Sequence, residues 1–375
     1  MNERTAAIAV GFLVFFSIGG GFIYFNDTEE TNDPVVSVIA KVNSNGSGIF
    51  CRYDLDINDP EGWGGKVFMT PGPGSIQHEM LKTLAFSLGY YFALDGPAKN
   101  NNTVYFTIVT PGQMSTEYKK GYVDGGIAWE PAFSRILHEF SDNTYNVATS
   151  DEIEPDHPCC MIVATHAFIE KYPDTVLRFL LAYIEALEWA NDAKEKGSGP
   201  EYEKLLDVSV SVALPGVAGG HYIAADALEN IDFSSELTNL KEDVVALLIR
   251  FENSGSITNP VSDKNAFADM LVNGSFLEKV KDMSIGEKED MKDGEPAHIR
   301  LGVLTADLHQ IAVEIAMADG IKGEESPSLF KQYGLNVVKV TASAGAEVMG
   351  NFATGSIDMG VLGLPPTVIR SANGL

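Results

Sequence analysis

The sequence predicts an α/β protein of two lobes or domains, built from sheets flanked by helices. Its 375 residues are enough for two cores. Strand-like and helix-like runs alternate along most of the chain, the pattern of sheets with crossover connections. Hydrophobic residues make up 45% and charged residues 21%, which excludes a disordered or low-complexity chain. The 52 acidic side chains outweigh 26 basic ones for a net charge of −26, so the chain lacks the basic surface of a nucleic-acid binder.

The elements follow in chain order. No charged residue falls between Thr5 and Asn26, and the apolar run 7–25 is long enough to span a bilayer core. The run continues through Phe22-Ile23-Tyr24-Phe25 without a small-residue cleavage pattern. Residues 1–33 are therefore expected to form an uncleaved signal anchor and a polar stalk, with secretion after cleavage as the alternative. The acidic stretch after the helix has no Lys or Arg, which places the body outside the cell.

Beta-branched and compact runs predict strands at 35–40, 65–70, 104–109, 125–129 and 160–164. A glycine-rich turn is expected at 43–48. Helices are expected at 78–88, 114–121 and 174–190, the last entered at Pro173, and residues 201–280 read as mostly helical. Residues 284–297 are charged and poor in apolar residues, as in a solvated linker. Strand and helix then alternate again: strands at 299–303, 335–340 and 357–362, helices at 309–319 and 346–352.

Three passages resemble the solute-binding proteins of ABC importers, in the nitrate/sulfonate/taurine branch with the pyrimidine-precursor binders as relatives. They are His298 to Gly320 with Lys331 to Val340; Ala353 to Gly374, similar to the family's G-x-I-D-x-G … G-x-P-P passage; and Gly65 to Leu81 with Gly121 to Pro131. The resemblance covers nearly the whole chain from Val35 onward. It implies a periplasmic-binding-protein-like type II fold of two lobes, each a mixed sheet flanked by helices. The order differs from the family's, whose opening strand is similar to 299–303 and whose equivalent of 371–374 runs on into one like 36–48. The chain is thus expected to be circularly permuted. A linker of about 14 residues reaches at most roughly 45 Å, and no duplicated sequence indicates a tandem. The expected organisation is 34–60 in lobe 1, 61–165 in lobe 2, 166–283 in lobe 1, a linker at 284–297, and 298–375 again in lobe 1.

Ligands of such folds sit in the cleft, at strand C-termini and helix N-termini. In the second lobe, Thr70, Gly72, Gly74, Ser75 and Gln77 form a strand, a glycine-rich turn and a helix start, a geometry suited to anions. The resemblance places Trp129 and Glu130 at the cleft, Trp129 to enclose the ligand and Glu130 to meet a cation or amine or to pair structurally. In the first lobe the candidates are Thr305 and His309, with Asp307 as a helix cap, Gly363 and Pro365, and the rim residues Asn45, Ser47 and Ser343.

Catalytic motifs are absent: there is no GxSxG, HExxH or P-loop. No catalytic residue, metal or cofactor is expected. Cys51, Cys159 and Cys160 make no CxxC spacing and read as small buried residues, a strained vicinal disulfide at Cys159–Cys160 being the alternative. His157 beside the two thiols makes a poor tetrahedral ligand set. The implied function is an extracytoplasmic receptor that binds a small anionic or zwitterionic solute and delivers it to an ABC permease with its cytoplasmic ATPase, while the N-terminal helix holds the membrane. The alternatives are an enzyme of pyrimidine-precursor or sulfonate metabolism on a related fold, or a sensor without a permease.

Overall fold

A computed structural model describes residues 33–375, so the expected anchor lies outside the described residues. Among the described residues, no helix is long and apolar enough to cross a membrane. The strands are β1 (Val36–Lys41), β2 (Asn43–Asn45), β3 (Ser47–Cys51), β4 (Val67–Thr70), β5 (Tyr91–Leu94), β6 (Thr103–Ile108), β7 (Gly125–Trp129), β8 (Tyr145–Thr149), β9 (Cys160–Thr165), β10 (Ile231–Phe233), β11 (Ala297–Leu304), β12 (Leu335–Ala342) and β13 (Met359–Gly363).

Two mixed sheets result. The first has the order β1-β9-β13-β11-β12 and the second β5-β6-β4-β7-β3-β8, while β10 and β2 form a small ribbon. In the first sheet β11 pairs in parallel with β12 and β13, and β9 runs antiparallel between β13 and β1. In the second, β4 is parallel to β6 and β7, and β3 runs antiparallel between β7 and β8. Each sheet is thus a parallel block to which an antiparallel strand is added. The sequence of β9, Cys-Met-Ile-Val-Ala-Thr, is the continuous apolar run of a strand covered on both faces, and all but its last residue are buried.

Residues 47–51 pair within the second sheet and residues 160–165 within the first. Periodicity identifies a strand but not the sheet it joins. The expected turn at 43–48 is different: β2 and β3 meet there, and the chain passes between the sheets at Gly46. Gly46 has φ +86°, and a Cβ there would overlap the His309 ring and the Ile231 side chain, so only glycine fits.

The expected linker is more ordered than its composition suggests. Ser284 caps an Ile285–Asp290 helix in a capping box with Glu287, none of its residues is buried, and a short turn leads directly into β11. The long Pro173–Lys196 helix starts at a proline and ends at left-handed Gly197. It packs against the Ile311–Met317 helix behind the first sheet, and its Arg178 donates to the Tyr333 carbonyl at 3.0 Å. Helices at Ala132–Glu139 and Leu364–Ala372, not expected from the sequence, follow β7 and β13.

Candidate functional site

Between the sheets lies a cavity of about 150 Å³, walled by both lobes. One wall is the β4-to-helix turn. Gly72 and Gly74 have φ of +107° and +89°, which wraps the chain into a tight loop. Ser75 then caps the Ile76–Ser87 helix, its hydroxyl accepting from the His78 amide at 3.2 Å. The first-turn amides of Ile76 and Gln77 have no intrahelical carbonyl to bind. The Pro111–Lys119 helix also begins at the cavity.

The opposite wall brings two more helix starts. The Gly345–Ala353 helix opens behind Ser343 and Ala344, and the Leu364–Ala372 helix opens behind Gly363. Pro365 and Pro366 have no amide hydrogen, and the Leu364 amide already donates to the Cys159 carbonyl at 2.8 Å. That helix therefore contributes its dipole rather than free donors, together with Arg370 one turn further on. Arg370 is the one Lys or Arg lining the cavity, and no acidic partner pairs with it among the described residues. Four helix N-termini and a guanidinium thus face one space, an arrangement that favours negative charge.

Of the residues singled out in the sequence, Gly72, Gly74, Ser75, Gln77, Trp129, His309, Ser343, Gly363 and Pro365 line this cavity. Trp129 is 8% exposed, and its indole N–H has no hydrogen-bond partner among the described residues. An indole nitrogen only donates, and a buried unmatched donor costs about 1–3 kcal/mol.

Five others do not line it. Thr70 sits behind the loop, accepting from the Gly72 amide at 3.2 Å and meeting His78 Nδ1 at 3.0 Å. Burial, reinforced by Lys82, lowers His78 to about 4, so its ring is neutral there. Glu130 is fully buried and receives the Ser134 amide at 3.1 Å, the Ser134 hydroxyl at 2.8 Å and Asn230 Nδ2 at 2.7 Å. Burial pushes its carboxyl up, and the bonds from Asn230 and Ser134 oppose this. Asn45 donates to Asp232 at 2.7 Å, Ser47 accepts from Gln77 at 3.0 Å, and exposed Thr305 donates to the Ala342 carbonyl at 3.2 Å. Loop position brought these five forward, but their side chains are turned to neighbouring backbone and side chains, Asn45 Oδ1 alone of their polar atoms being buried without a partner among the described residues.

The cavity also holds a group that the sequence did not assemble. Cys159 and Cys160 are free thiols with sulfurs 4.0 Å apart, not a disulfide. Cys159 Sγ lies 3.7 Å from His309 Nδ1, which is 3.1 Å from Asp307 Oδ1, while His309 Nε2 is 2.9 Å from the Gly46 carbonyl. Asp307 also caps the following turn, accepting from the His309 amide at 2.9 Å. The Cys160 S–H and the His309 ring hold Cys159 below the usual thiol range, and Cys160 is pushed up in turn. Burial alone would lower His309, but Cys159 and Asp307 together raise it. His157, the histidine nearest in sequence, turns away to the Glu154 carbonyl. The thiols and His309 lie 150 positions apart, so no local pattern joins them. Arg370 was more accessible: it lies four residues after Pro366, on the same helical face.

Several known proteins are similar to this chain. Residues 18–198 match the model of the NMT1-like family. The bicarbonate-binding protein CmpA of Synechococcus elongatus is 25% identical over 155 residues, 39% of this chain and 33% of CmpA. The nitrate import ATP-binding protein NrtC of Synechocystis is 25% identical over 162 residues, 43% of this chain and 21% of that protein. The match therefore spans a third or less of these relatives' length. Among solved structures, the nitrate-binding protein NrtA of Synechocystis aligns with a TM-score of 0.44 at 16% identity, over 66% of this chain and 67% of NrtA. The aliphatic sulphonate-binding protein SsuA of Escherichia coli aligns at 0.43 and 14%, over 65% and 75%. Across residues 18–198, just under half of its length, this chain is similar to the NMT1-like family.

Proposed function

We propose that the protein is an extracytoplasmic receptor that closes its two lobes on a small anionic or zwitterionic solute and passes it to an ABC permease driven by a cytoplasmic ATPase. The convergence of four helix N-termini and Arg370 on one cavity carries this reading. The cavity, about 150 Å³, is the size that holds a benzene-like molecule of roughly six non-hydrogen atoms. Nitrate, bicarbonate, small sulfonates and taurine are of this order. The unmatched Trp129 N–H supplies a donor for one solute oxygen. The names of CmpA and NrtC support a nitrate- or bicarbonate-type solute and an import partner.

Two further parts belong to this reading. The apolar run 7–25 serves as a membrane anchor, with the body outside. The chain is a circular permutation: β11, β12 and β13 come late in sequence yet supply the parallel block of the first sheet. A chain reordered as 298–375 followed by 35–283 is expected to fold and to bind as the native order does; folding of the native order alone would sink the permutation.

The test of function is ligand-dependent melting of the full chain against nitrate, bicarbonate, small sulfonates, taurine and pyrimidine precursors. At least one is expected to raise the melting temperature in a saturable way, because a solute that binds only the folded state stabilises it. A well-folded chain that responds to none of them contradicts the proposal.

A further inference from the structure

We propose that Cys159, Cys160 and His309 form a binding site for a thiophilic d10 metal ion of the Zn²⁺ type, with its fourth coordination position open to the interlobe cavity. Their donor atoms all lie within 4.8 Å of one another. Two of the three spacings are close to those of a shared ion. Metal–sulfur bonds of about 2.3 Å and a metal–nitrogen bond of about 2.0–2.1 Å, set at tetrahedral angles, place sulfur and nitrogen roughly 3.6 Å apart and the two sulfurs about 3.8 Å apart. The distances here are 3.7 Å from Cys159 Sγ to His309 Nδ1 and 4.0 Å between the sulfurs.

The surroundings select the right tautomer. The Gly46 carbonyl, 2.9 Å from His309 Nε2, can only accept, so Nε2 carries a proton and Nδ1, the nitrogen beside Cys159, is the one available to ligate. A ligating histidine that donates its other N–H to a backbone carbonyl is the usual outer-shell arrangement of metal sites. Asp307 Oδ1, 3.1 Å from Nδ1, adds negative charge beside the same point. In the metal-free chain a proton shared between Nδ1 and Cys159 Sγ beside Asp307 fills this dry spot, and a bound ion would take its place. Cys159, Cys160, Asp307 and His309 are 4%, 2%, 1% and 1% exposed, and all four line the cavity. Two thiols, one imidazole and a facing cavity match a site that keeps one position for water or a solute group. On binding, each thiol gives up its proton to form a metal–sulfur bond, so one ion should release about two protons. The assignment stands on these donors and does not require the solute proposal.

The test is a titration of the reduced, metal-free full chain in detergent with Co²⁺, a spectroscopic substitute for Zn²⁺, in the absence of any solute. One equivalent is expected to produce thiolate-to-cobalt charge-transfer absorption and the visible bands of a four-coordinate ion, and Zn²⁺ should abolish both. X-ray absorption of the Zn²⁺ form should show sulfur at about 2.3 Å. Cys159→Ser and Cys160→Ser should each remove the charge-transfer signal or shift it to a single sulfur, whereas Cys51→Ser should leave it intact. Asp307→Asn should weaken binding about 10–100-fold. If a thiol variant fails to fold, native mass spectrometry of the unmodified chain decides: one Zn²⁺ with a deficit of two protons is expected. No stoichiometric uptake by the folded, reduced chain, or cobalt bands that survive loss of both Cys159 and Cys160, would overturn the assignment.

Discussion

The wall formed by Gly72–Gln77 faces the cavity with main-chain amides, a helix start and neutral side chains. Across the cavity, Asp307, His309, Cys159 and Cys160 present two thiols, an imidazole and a carboxylate within a few ångströms. The first wall is written in consecutive residues, and its chemistry is that of backbone held in one conformation. The second is assembled from β9 and from the turn after β11, which become neighbours only when the first sheet forms. The difference separates recognition by shape and dipole from recognition by titratable and metal-ligating side chains. A solute that touches both walls meets both.

The largest effect should come from the crossing between the walls. Gly46→Ala forces a Cβ into the His309 ring at positive φ and is expected to destabilise the fold by about 3 kcal/mol or more in chemical denaturation. Gly74→Ala also meets positive φ, but its Cβ would lie 3.3 Å from Ile369 Cδ1, a side chain that can move. It should cost only about 1–2 kcal/mol. Equal costs would mean that the crossing is no more constrained than the loop.

Acid should loosen the loop wall through His78. Its folded pKa of about 4 is depressed from 6.5, so the unfolded chain takes up a proton first as pH falls. The contribution is complete above pH 6.5 and is lost progressively as pH falls to about 4, by up to about 3 kcal/mol. Denaturation curves between pH 7 and 4 should show this extra slope in the wild type and not in His78→Gln.

Arg370→Gln tests the opposite wall. It should weaken binding of an anionic solute by about 1.5–3 kcal/mol and flatten its salt dependence, with little effect on the fold, since Arg370 is exposed. Trp129→Phe should have the smallest effect: about 1 kcal/mol lost in solute affinity, with the solute-free protein as stable as before or slightly more so, because a buried unmatched donor is gone. Calorimetric titration and melting of each variant separate the two readouts.

Much of this fold was legible because its strands are short apolar runs and its helices begin at marked residues. The strand at 125–129 and the helix entered at Pro173 stand where the pattern put them. Partner choice was not legible: β3 and β9 carry no local sign of which sheet they enter. Within the cavity, the Gly72–Ser75 turn could be read because glycine spacing and a capping serine are local signals. Glu130 could not be resolved locally, since a carboxylate after a strand looks the same whether it faces solute or, as here, Ser134 and Asn230. Cys159 and His309 were hidden by their separation in sequence, and Arg370 by lying one helical turn beyond the loop that was read.

Hydrogen–deuterium exchange of the full chain, with and without a saturating solute found by melting, tests the central claim most directly. The account expects slowed exchange at the amides of residues 72–78 and 344–347 together, with Gly46 and its neighbours slowed as the lobes close. Protection confined to one wall, or falling outside the cavity altogether, would contradict capture of a small solute between two lobes.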